Sequence, residues 1–555
     1  MHADQNVAQL LAATAGQNPH GLAIAEPCGR DSAGRRRYRQ ITFADLDADS
    51  TRIAAGLRDL GAQPGQRIAL LVRPGIDFIS LVFALFKAGL VTILIDPGMG
   101  KKNMVGCLSA AEPEGFVAIS LAQAVRSVLR HRFPRARLLV TVGRRWFWGG
   151  VTLEQLRARS SSDNIMSPVA ATDPAAIIFT TGSTGPPKGV LYRHGNFVQQ
   201  ALEIQRFYQI QPGEIDLPGF PLFALFNCAM GVSTVIPDMD PTRPAQVDPR
   251  NIVEAVEDWN VTQSFGSPAL WNVVGQYCAA NHIRLRTLKR VLSAGAPVPP
   301  HVVARVKHAM SPQGEIHTPY GATEALPVAS ISGREIVEET AARSATGAGT
   351  CVGRRFPHID WKVIRISDEP LAHLSDCEEM PVGEIGELIV RGPVVTTEYV
   401  TRTEANALHK IADDQGFWHR MGDVGYLDQS DRFWFCGRKS HRVQTPQGTL
   451  YTIPCEAILN AHPAIYRSAL VGVGIPGKQR PALIAEPWPE QFPRTRAARE
   501  ELLGQLHTLA QAHPLTRSID TFFLHRSLPV DIRHNAKIFR EKLALWAAAR
   551  LKPGA

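Results

Sequence analysis

The chain predicts an α/β fold: a large N-terminal domain of layered α/β subdomains with a small β-barrel-like unit, then a smaller α+β C-terminal cap domain. Three observations carry this. Short apolar strands alternate with amphipathic helices through about residue 335, the pattern of parallel α/β layers. After about residue 350 short β segments follow one another with few helices between. From about residue 440 a smaller mixed segment ends in a basic stretch and a helix. The 555 residues are 45% hydrophobic and 20% charged. That composition excludes a disordered chain, a collagen-like repeat and a disulfide miniprotein.

The elements follow in order. Asn6 to Ala15 is amphipathic, and Ala44 to Leu60 carries apolar residues at helical spacing after Ile41-Thr42-Phe43. Arg67 to Val72 predicts a strand, Asp77 to Ala88 a buried helix, and Val91 to Ile95 a strand ending in the turn Asp96 to Gly100. Trp361 to Ile366, Gly386 to Arg391 and Arg432 to Cys436 predict β segments, and Ile538 to Ala549 the last helix. The longest apolar stretch, Phe78 to Ile95, is broken by Lys87 and Gly89 and is short for a membrane span. The N-terminus has no basic segment before an apolar core, so no signal peptide is expected. Eight scattered cysteines with no C-x-x-C predict a reduced, cytoplasmic protein.

Sixty Lys and Arg against 51 Asp and Glu give a net charge of +9. Nucleic acid, an acidic membrane surface and an anionic substrate are all compatible with that bias. No motif points to nucleic-acid recognition. Two arginine runs stand out: Arg35 to Arg39, in an early loop or hairpin, and Arg130 to Arg137 followed by Arg144-Arg145-Trp146-Phe147-Trp148. They read first as exposed loops and solvated edges, and second as a membrane-surface or partner contact. Membrane association is expected to be peripheral at most.

The chemistry concentrates in Ala176 to Val190. An apolar β run enters a loop containing Thr180, Thr181, Gly182, Ser183, Thr184, Gly185 and Lys188, and leaves it as a second β run. Glycines let backbone N–H groups approach an anion, hydroxyls donate to phosphate oxygens, and the lysine adds charge. A Walker A loop would continue Gly-Lys-Ser/Thr into a helix, whereas Lys188 is followed by Gly189 and a strand. No G-x-S-x-G elbow supports a serine hydrolase.

Thr180 to Gly189 resembles the phosphate loop of the adenylate-forming superfamily, which includes acyl-CoA synthetases and luciferases, and further motifs follow in that family's order. Ser293-Ala294-Gly295-Ala296-Pro297 resembles the adenine-contacting turn. Tyr320-Gly321-Ala322-Thr323-Glu324 resembles the aromatic-Gly-x-Thr-Glu motif. The resemblance implies that Tyr320 stacks on adenine, Thr323 bonds the α-phosphate and Glu324 holds Mg²⁺. Trp418 to Tyr426 resembles the ribose motif, with Asp423 accepting the ribose hydroxyls, and Gly437-Arg438 the hinge entrance, with Arg438 near ribose and phosphate. It further implies an adenylation domain over 1–437, a hinge at 438–442 and a mobile C-terminal domain over 443–555 bearing Lys537. Lys537, with Thr184, Lys188 and Glu324, would stabilise charge as a carboxylate attacks the α-phosphorus of ATP. For the acyl pocket, the apolar residues Phe223, Phe226, Gly231, Phe265 and Trp271 are candidates.

Three departures from the family pattern are visible. Asn535-Ala536 precedes Lys537 where Ser-Gly is usual. Lys439 to Glu456 is about two residues longer than usual, with Gln444 in place of a lysine. Ala224 stands where a histidine is frequent. In relatives the second segment faces the pantetheine of coenzyme A, so the last two changes bear against thioester formation. The segments Asp96 to Asn103, Arg442 to Glu456 and Asp531 to Lys537 resemble the β-lactone synthetases of bacterial long-chain olefin biosynthesis. That branch implies a 2-alkyl-3-hydroxy fatty acid substrate, ATP and Mg²⁺, lactone closure by the 3-hydroxyl, and room for assembly with other olefin-biosynthesis enzymes. The alternatives are a long-chain fatty acyl-CoA ligase, a fatty acyl-AMP ligase, or a silent homologue with a structural role.

Overall fold

The structure, a computed structural model, describes residues 5–158, 165–180, 186–220, 222–531 and 537–551. The predicted layers are present. A seven-stranded sheet runs in the order Val151–Thr152, Leu138–Val142, Gly115–Ile119, Arg67–Leu71, Val91–Leu94, Pro174–Phe179, Gly189–Arg193. It is parallel up to its last pair, where Pro174–Phe179 and Gly189–Arg193 form an antiparallel hairpin around the phosphate loop. The helix Ile76–Lys87 packs against it, with Phe78, Leu81, Val82, Phe83 and Leu85 buried. Lys87 is buried among them because its ammonium donates to Asp47 Oδ1 at 2.6 Å and Thr51 Oγ1 at 2.7 Å.

A second, larger sheet joins the parallel and β-rich parts. Leu22–Arg30, Ser233–Val235, Ile215–Asp216, Gln263–Gly266, Arg290–Ser293 and Glu315–Ala322 are parallel neighbours. From Glu315–Ala322 onward the pairing turns antiparallel through Ala325–Ser332, Thr350–Arg355, Arg432–Arg438, Gly416–Leu427, Gly386–Arg391 and Asp360–Ile364. The β-rich unit is thus an antiparallel continuation of the large sheet. Its strands bury alternate residues such as Trp361, Val363, Leu388, Val390 and Phe433 in a shared core.

Residues 443–551 build their own layers. Ile465–Val473, Arg480–Pro487 and Thr521–Leu524 form a three-stranded sheet. Leu470, Leu483 and Ala485 face the helices Thr452–Asn460 and Arg496–Gln511, while Ala469, Val471 and Ile484 face the helix Arg540–Ala548. That helix begins two residues later than the periodicity predicts. Ile538 bridges to Val530 and Phe539 N–H donates to Pro529 O at 2.9 Å, which holds 538–539 out of the helix. The first arginine run is a hairpin, Arg36–Thr42 pairing with Leu22–Arg30. All eight cysteines are free, and among the described residues no helix is long and apolar enough to cross a membrane.

Candidate active site

The predicted motifs converge at the carboxyl ends of strands, where open α/β sheets bind ligands. The phosphate loop leaves Pro174–Phe179, the Ser293–Pro297 turn leaves Arg290–Ser293, and Tyr320 to Glu324 closes the strand at which parallel pairing becomes antiparallel.

The neck of the loop is fixed by backbone bonds. Phe179 pairs with Gly189, Thr180 N–H donates to Lys188 O at 3.0 Å, and Lys188 N–H donates to Thr180 Oγ1 at 3.3 Å. Gly189 sits in a tight place: a Cβ there would lie 3.1 Å from both Ile177 Cγ2 and Thr401 Oγ1. Thr181, Gly182, Ser183, Thr184 and Gly185 lie outside the described residues. Lys188, at the exit of the loop, puts Nζ 2.9 Å from His409 Nε2 and 4.5 Å from the centre of the Tyr399 ring. Burial lowers its pKa, and the Glu324 carboxylate opposes that.

An ammonium only donates, so His409 Nε2 accepts and its Nδ1 carries the hydrogen, which faces Arg420 O at 3.4 Å. Burial pulls His409 down to about 4, so the ring is uncharged at neutral pH. Behind it lies His419, its ring centre 6.0 Å away, driven far below the usual histidine range by burial and then by Lys410. Lys410 itself is pulled down to about 7 by burial and donates to Thr396 O. Sequence reasoning missed His409, Lys410 and His419. The available signal was a pair of basic residues set between two apolar ones in both Leu408 to Ile411 and Trp418 to Met421, with Lys410 opposite His419 in the strand register.

Glu324 sits in the turn between two antiparallel strands. Its Oε1 accepts from the Tyr399 hydroxyl at 2.7 Å, and its carbonyl accepts from Thr396 N–H and Oγ1 at 2.9 and 3.0 Å. The carbonyl of Thr323 accepts from the Tyr192 hydroxyl. Gly321 makes the turn possible, because a Cβ would come within 2.6 Å of Ala325 O. Glu324 retains lone pairs toward the cleft. Among the described residues no three His, Cys, Asp or Glu converge as a metal cage. One carboxylate beside phosphate oxygens is a donor set that fits Mg²⁺, which keeps much of its shell for water and phosphate.

Asp423 is buried and lies opposite Arg438 in the strand register. Arg438 Nη1 is 2.8 Å from Asp423 Oδ1, and the Tyr320 hydroxyl donates to Oδ2. Burial raises the carboxyl pKa against both partners, while Asp423 holds Arg438 above its ordinary value. Gly295 has φ +96°, a left-handed conformation that favours glycine, at a turn whose residues Gly295 and Pro297 are exposed and Ala296 half-buried. Tyr320, Glu324, Asp423, Arg438 and Lys188 therefore lie along one wall.

The opposite wall comes from the C-terminal unit. Lys537 is held by a two-way bond: its N–H donates to Asp531 Oδ1 at 2.9 Å, and Asp531 N–H donates to Lys537 O at 3.0 Å. Its charge acts on the Asp423 carboxyl, against the upward push of burial. The seam is ionic. Arg442 pairs with Asp368, and Lys439 lies 3.1 Å from Glu387, whose carboxylate is held within the N-terminal sheet by Arg420. The extra residues after Arg438 are absorbed by a hairpin, Val443–Thr445 against Gly448–Leu450. With its side-chain amide turned so that the oxygen faces the guanidinium, Gln444 accepts from Arg442 Nη2 and Nε at 2.9 and 3.0 Å.

Of the acyl-pocket candidates, the structure groups three. Phe265 stacks on Phe223 with centroids 3.6 Å apart, Phe226 meets Phe223 edge-on at 5.6 Å, and Phe220 joins them. Gly231 instead ends the helix Phe223–Met230 in a left-handed cap against Pro212. Trp271 is fully buried in a different core, its indole against Gly266. Neither stands with the aromatic group, because a helix terminator and a core indole are set by packing that spacing does not reveal.

Residues 11–400 match the AMP-binding enzyme family. The chain is 46% identical over 551 residues to the olefin β-lactone synthetase of Xanthomonas campestris pv. campestris, covering 98% of this chain and 97% of that protein. It is 45% identical to the olefin β-lactone synthetase of Stenotrophomonas maltophilia, covering 99% of both. The fold matches the anthranilate CoA ligase AuaEII in complex with anthranoyl-AMP, with a TM-score of 0.80, 17% identity and 99% of each chain covered. With the motifs in order and facing one cleft, the chain belongs to the AMP-binding enzyme family, as an AMP-forming ligase that is similar over nearly its whole length to the olefin β-lactone synthetases.

Proposed function

We propose that this protein is an ATP-dependent β-lactone synthetase acting on a long-chain 2-alkyl-3-hydroxyalkanoic acid in olefin biosynthesis. The observation that carries the reading is the 45–46% identity to two olefin β-lactone synthetases over 97–99% of their lengths. In the first step a carboxylate oxygen bonds the α-phosphorus of ATP and pyrophosphate leaves. Asp423 and Arg438 hold the ribose, Tyr320 the adenine, and Lys188 and Lys537 meet the charge that grows on the phosphoryl oxygens. Thr180 to Gly185 lend hydroxyls and backbone N–H groups to the phosphates. Gly295, Ala296, Pro297, Gly321 and Thr323 shape the nucleotide side. Glu324 would hold Mg²⁺, which would supply charge that neutralises the phosphates.

In the second step the substrate's 3-hydroxyl oxygen bonds the acyl carbon, the hydroxyl proton passes to solvent water, and the acyl–phosphate bond breaks with AMP as the leaving group. An internal nucleophile needs no thiol. A hinge without the usual lysine, its Gln444 tied to Arg442, is consistent with that. Phe223, Phe226 and Phe265 offer an apolar wall for the alkyl chains. Residues 438–442 act as the hinge between 1–437 and the mobile 443–555. The setting is cytoplasmic, with other enzymes of the pathway as partners. Purified protein, Mg-ATP and the hydroxy acid should give AMP, pyrophosphate and a β-lactone without coenzyme A. Strict dependence on coenzyme A, or turnover of simple fatty acids to thioesters, would overturn the reading in favour of an acyl-CoA ligase.

A further inference from the structure

The two arginine runs end up in opposite electrostatic situations. In the first, Arg36 bonds Asp238 and lies 2.9 Å from Glu254, Arg35 lies 3.0 Å from Asp31, and Arg39 lies 2.7 Å from Glu26. Those charges are spent inside the protein. Residues 115–153, by contrast, contain seven arginines and no Asp or Glu. Arg135 there is paired, 3.2 Å from Glu112. Among the described residues no carboxylate pairs with Arg130, Arg132, Arg137, Arg144 or Arg145, all of them exposed.

The helix Ser120–Val128 inside this segment is turned inside out. Gln123 is fully buried and donates to Phe116 O at 3.2 Å and Val140 O at 2.9 Å, and Arg126 Nε donates to Gln123 Oε1 at 2.9 Å. With its polar residues anchored inward, the helix turns Leu121, Val125 and Val128 to solvent, at spacings that share one face. Leu121 is 66% exposed and Val128 74%. The loop after Leu138–Val142 extends the patch: Ser120 Oγ donates to Arg144 O at 2.5 Å, which sets that loop beside the start of the helix. There Trp148 is buried and donates to Thr141 Oγ1 at 2.9 Å, while Trp146 is exposed and Phe147 is 76% exposed. The turn Arg130–Arg132 follows the helix directly.

We propose that this face docks the enzyme peripherally on an anionic phospholipid surface. Leu121, Val128 and Phe147 would enter the boundary between headgroups and acyl chains, Trp146 would sit at headgroup level, and the unpaired arginines would meet lipid phosphates. An apolar strip edged by arginines and free of acidic residues matches the charge and depth of such an interface. The face is read from its own side chains and is independent of which acid the enzyme activates.

The test is co-sedimentation of the full chain with phosphatidylcholine vesicles carrying phosphatidylglycerol, against phosphatidylcholine alone. Binding should require the anionic lipid and weaken with salt. R130Q/R132Q should weaken it by about fivefold per arginine, and V128S/F147S by at least about tenfold. Both variants should keep wild-type AMP release and thermal midpoint. Absence of vesicle binding, or binding unchanged in both variants, would overturn the proposal. It would also be overturned if the variants changed only the mass of the protein in solution, since the face would then be a contact between copies of the chain.

Discussion

On one wall of the cleft, Tyr320, Glu324, Asp423 and Arg438 are locked by tyrosine hydroxyls, the Thr396 hydroxyl and a half-buried ion pair that belong to the N-terminal sheets. On the other, Lys537 is tied to Asp531 by two bonds from its main chain, beside the Val530–Ile538 bridge, and a seam of ion pairs fastens its unit to the rest. The first wall is part of what makes the protein fold; the second is fastened to it. Substitutions on the first wall should therefore damage stability and activity together, and those on the second activity alone.

The largest effect is expected at Asp423. D423A leaves Arg438, whose side chain is 34% exposed, without its counter-charge, which costs about 1 kcal/mol, and removes both the acceptor of the Tyr320 hydroxyl and the acceptor proposed for the ribose. Both the thermal midpoint and ATP–pyrophosphate exchange should fall. Exchange lost at an unchanged midpoint would show that the two walls do not differ. K537A should lower exchange by about 10²–10³-fold while the midpoint stays near wild type, because its main-chain bonds to Asp531 survive. Equal exchange by K537A and wild type would remove Lys537 from the mechanism.

A smaller effect is expected at His409, which orients Lys188 without touching substrate. H409A should lower kcat about tenfold, with H409Q recovering part of it through its amide oxygen. A KM change alone would contradict a positioning role. Stability should also depend on pH. His194, His317 and His409 are each pulled down to about 4 by burial. Their neutral forms are the folded forms, so the stability they permit is fully present above about pH 6.5 and is lost as pH falls toward 4. Each contributes about 2–3 kcal/mol to that loss. A midpoint flat between pH 7 and pH 4.5 would contradict this assignment. The smallest effect is expected at the seam: D368N, which frees Arg442, should cost at most about 1 kcal/mol and leave adenylation unchanged.

The strands and the motif turns were legible because each is a local signal. Gly321 and Gly295 follow from backbone geometry at a turn, and Phe179 to Gly189 reads as strand, loop, strand without reference to anything distant. The partners of those motifs were not legible. Tyr399, which holds Glu324, is 75 residues away from it, and His409, which holds Lys188, is 221. Trp271 and Phe265 are both apolar and near in sequence, yet one is core and the other joins the aromatic wall. Hydrophobicity reports burial, not which surface is buried against what.

By itself the sequence determined the α/β layering, the order of the nucleotide motifs and the charge excess, since periodicity, glycine placement and composition act over a few residues. Tertiary structure decided which charges remain available. Arg36 is neutralised by Glu254 and Asp238, brought to it from across the sheet, whereas Arg130 and Arg144 meet no such partner among the described residues. It also decided that Gln123 and Arg126 face inward, leaving Leu121 and Val128 in water. A charge or an apolar side chain acquires its meaning from what the folded chain sets within a few ångströms of it, and for these residues that neighbour is distant in sequence.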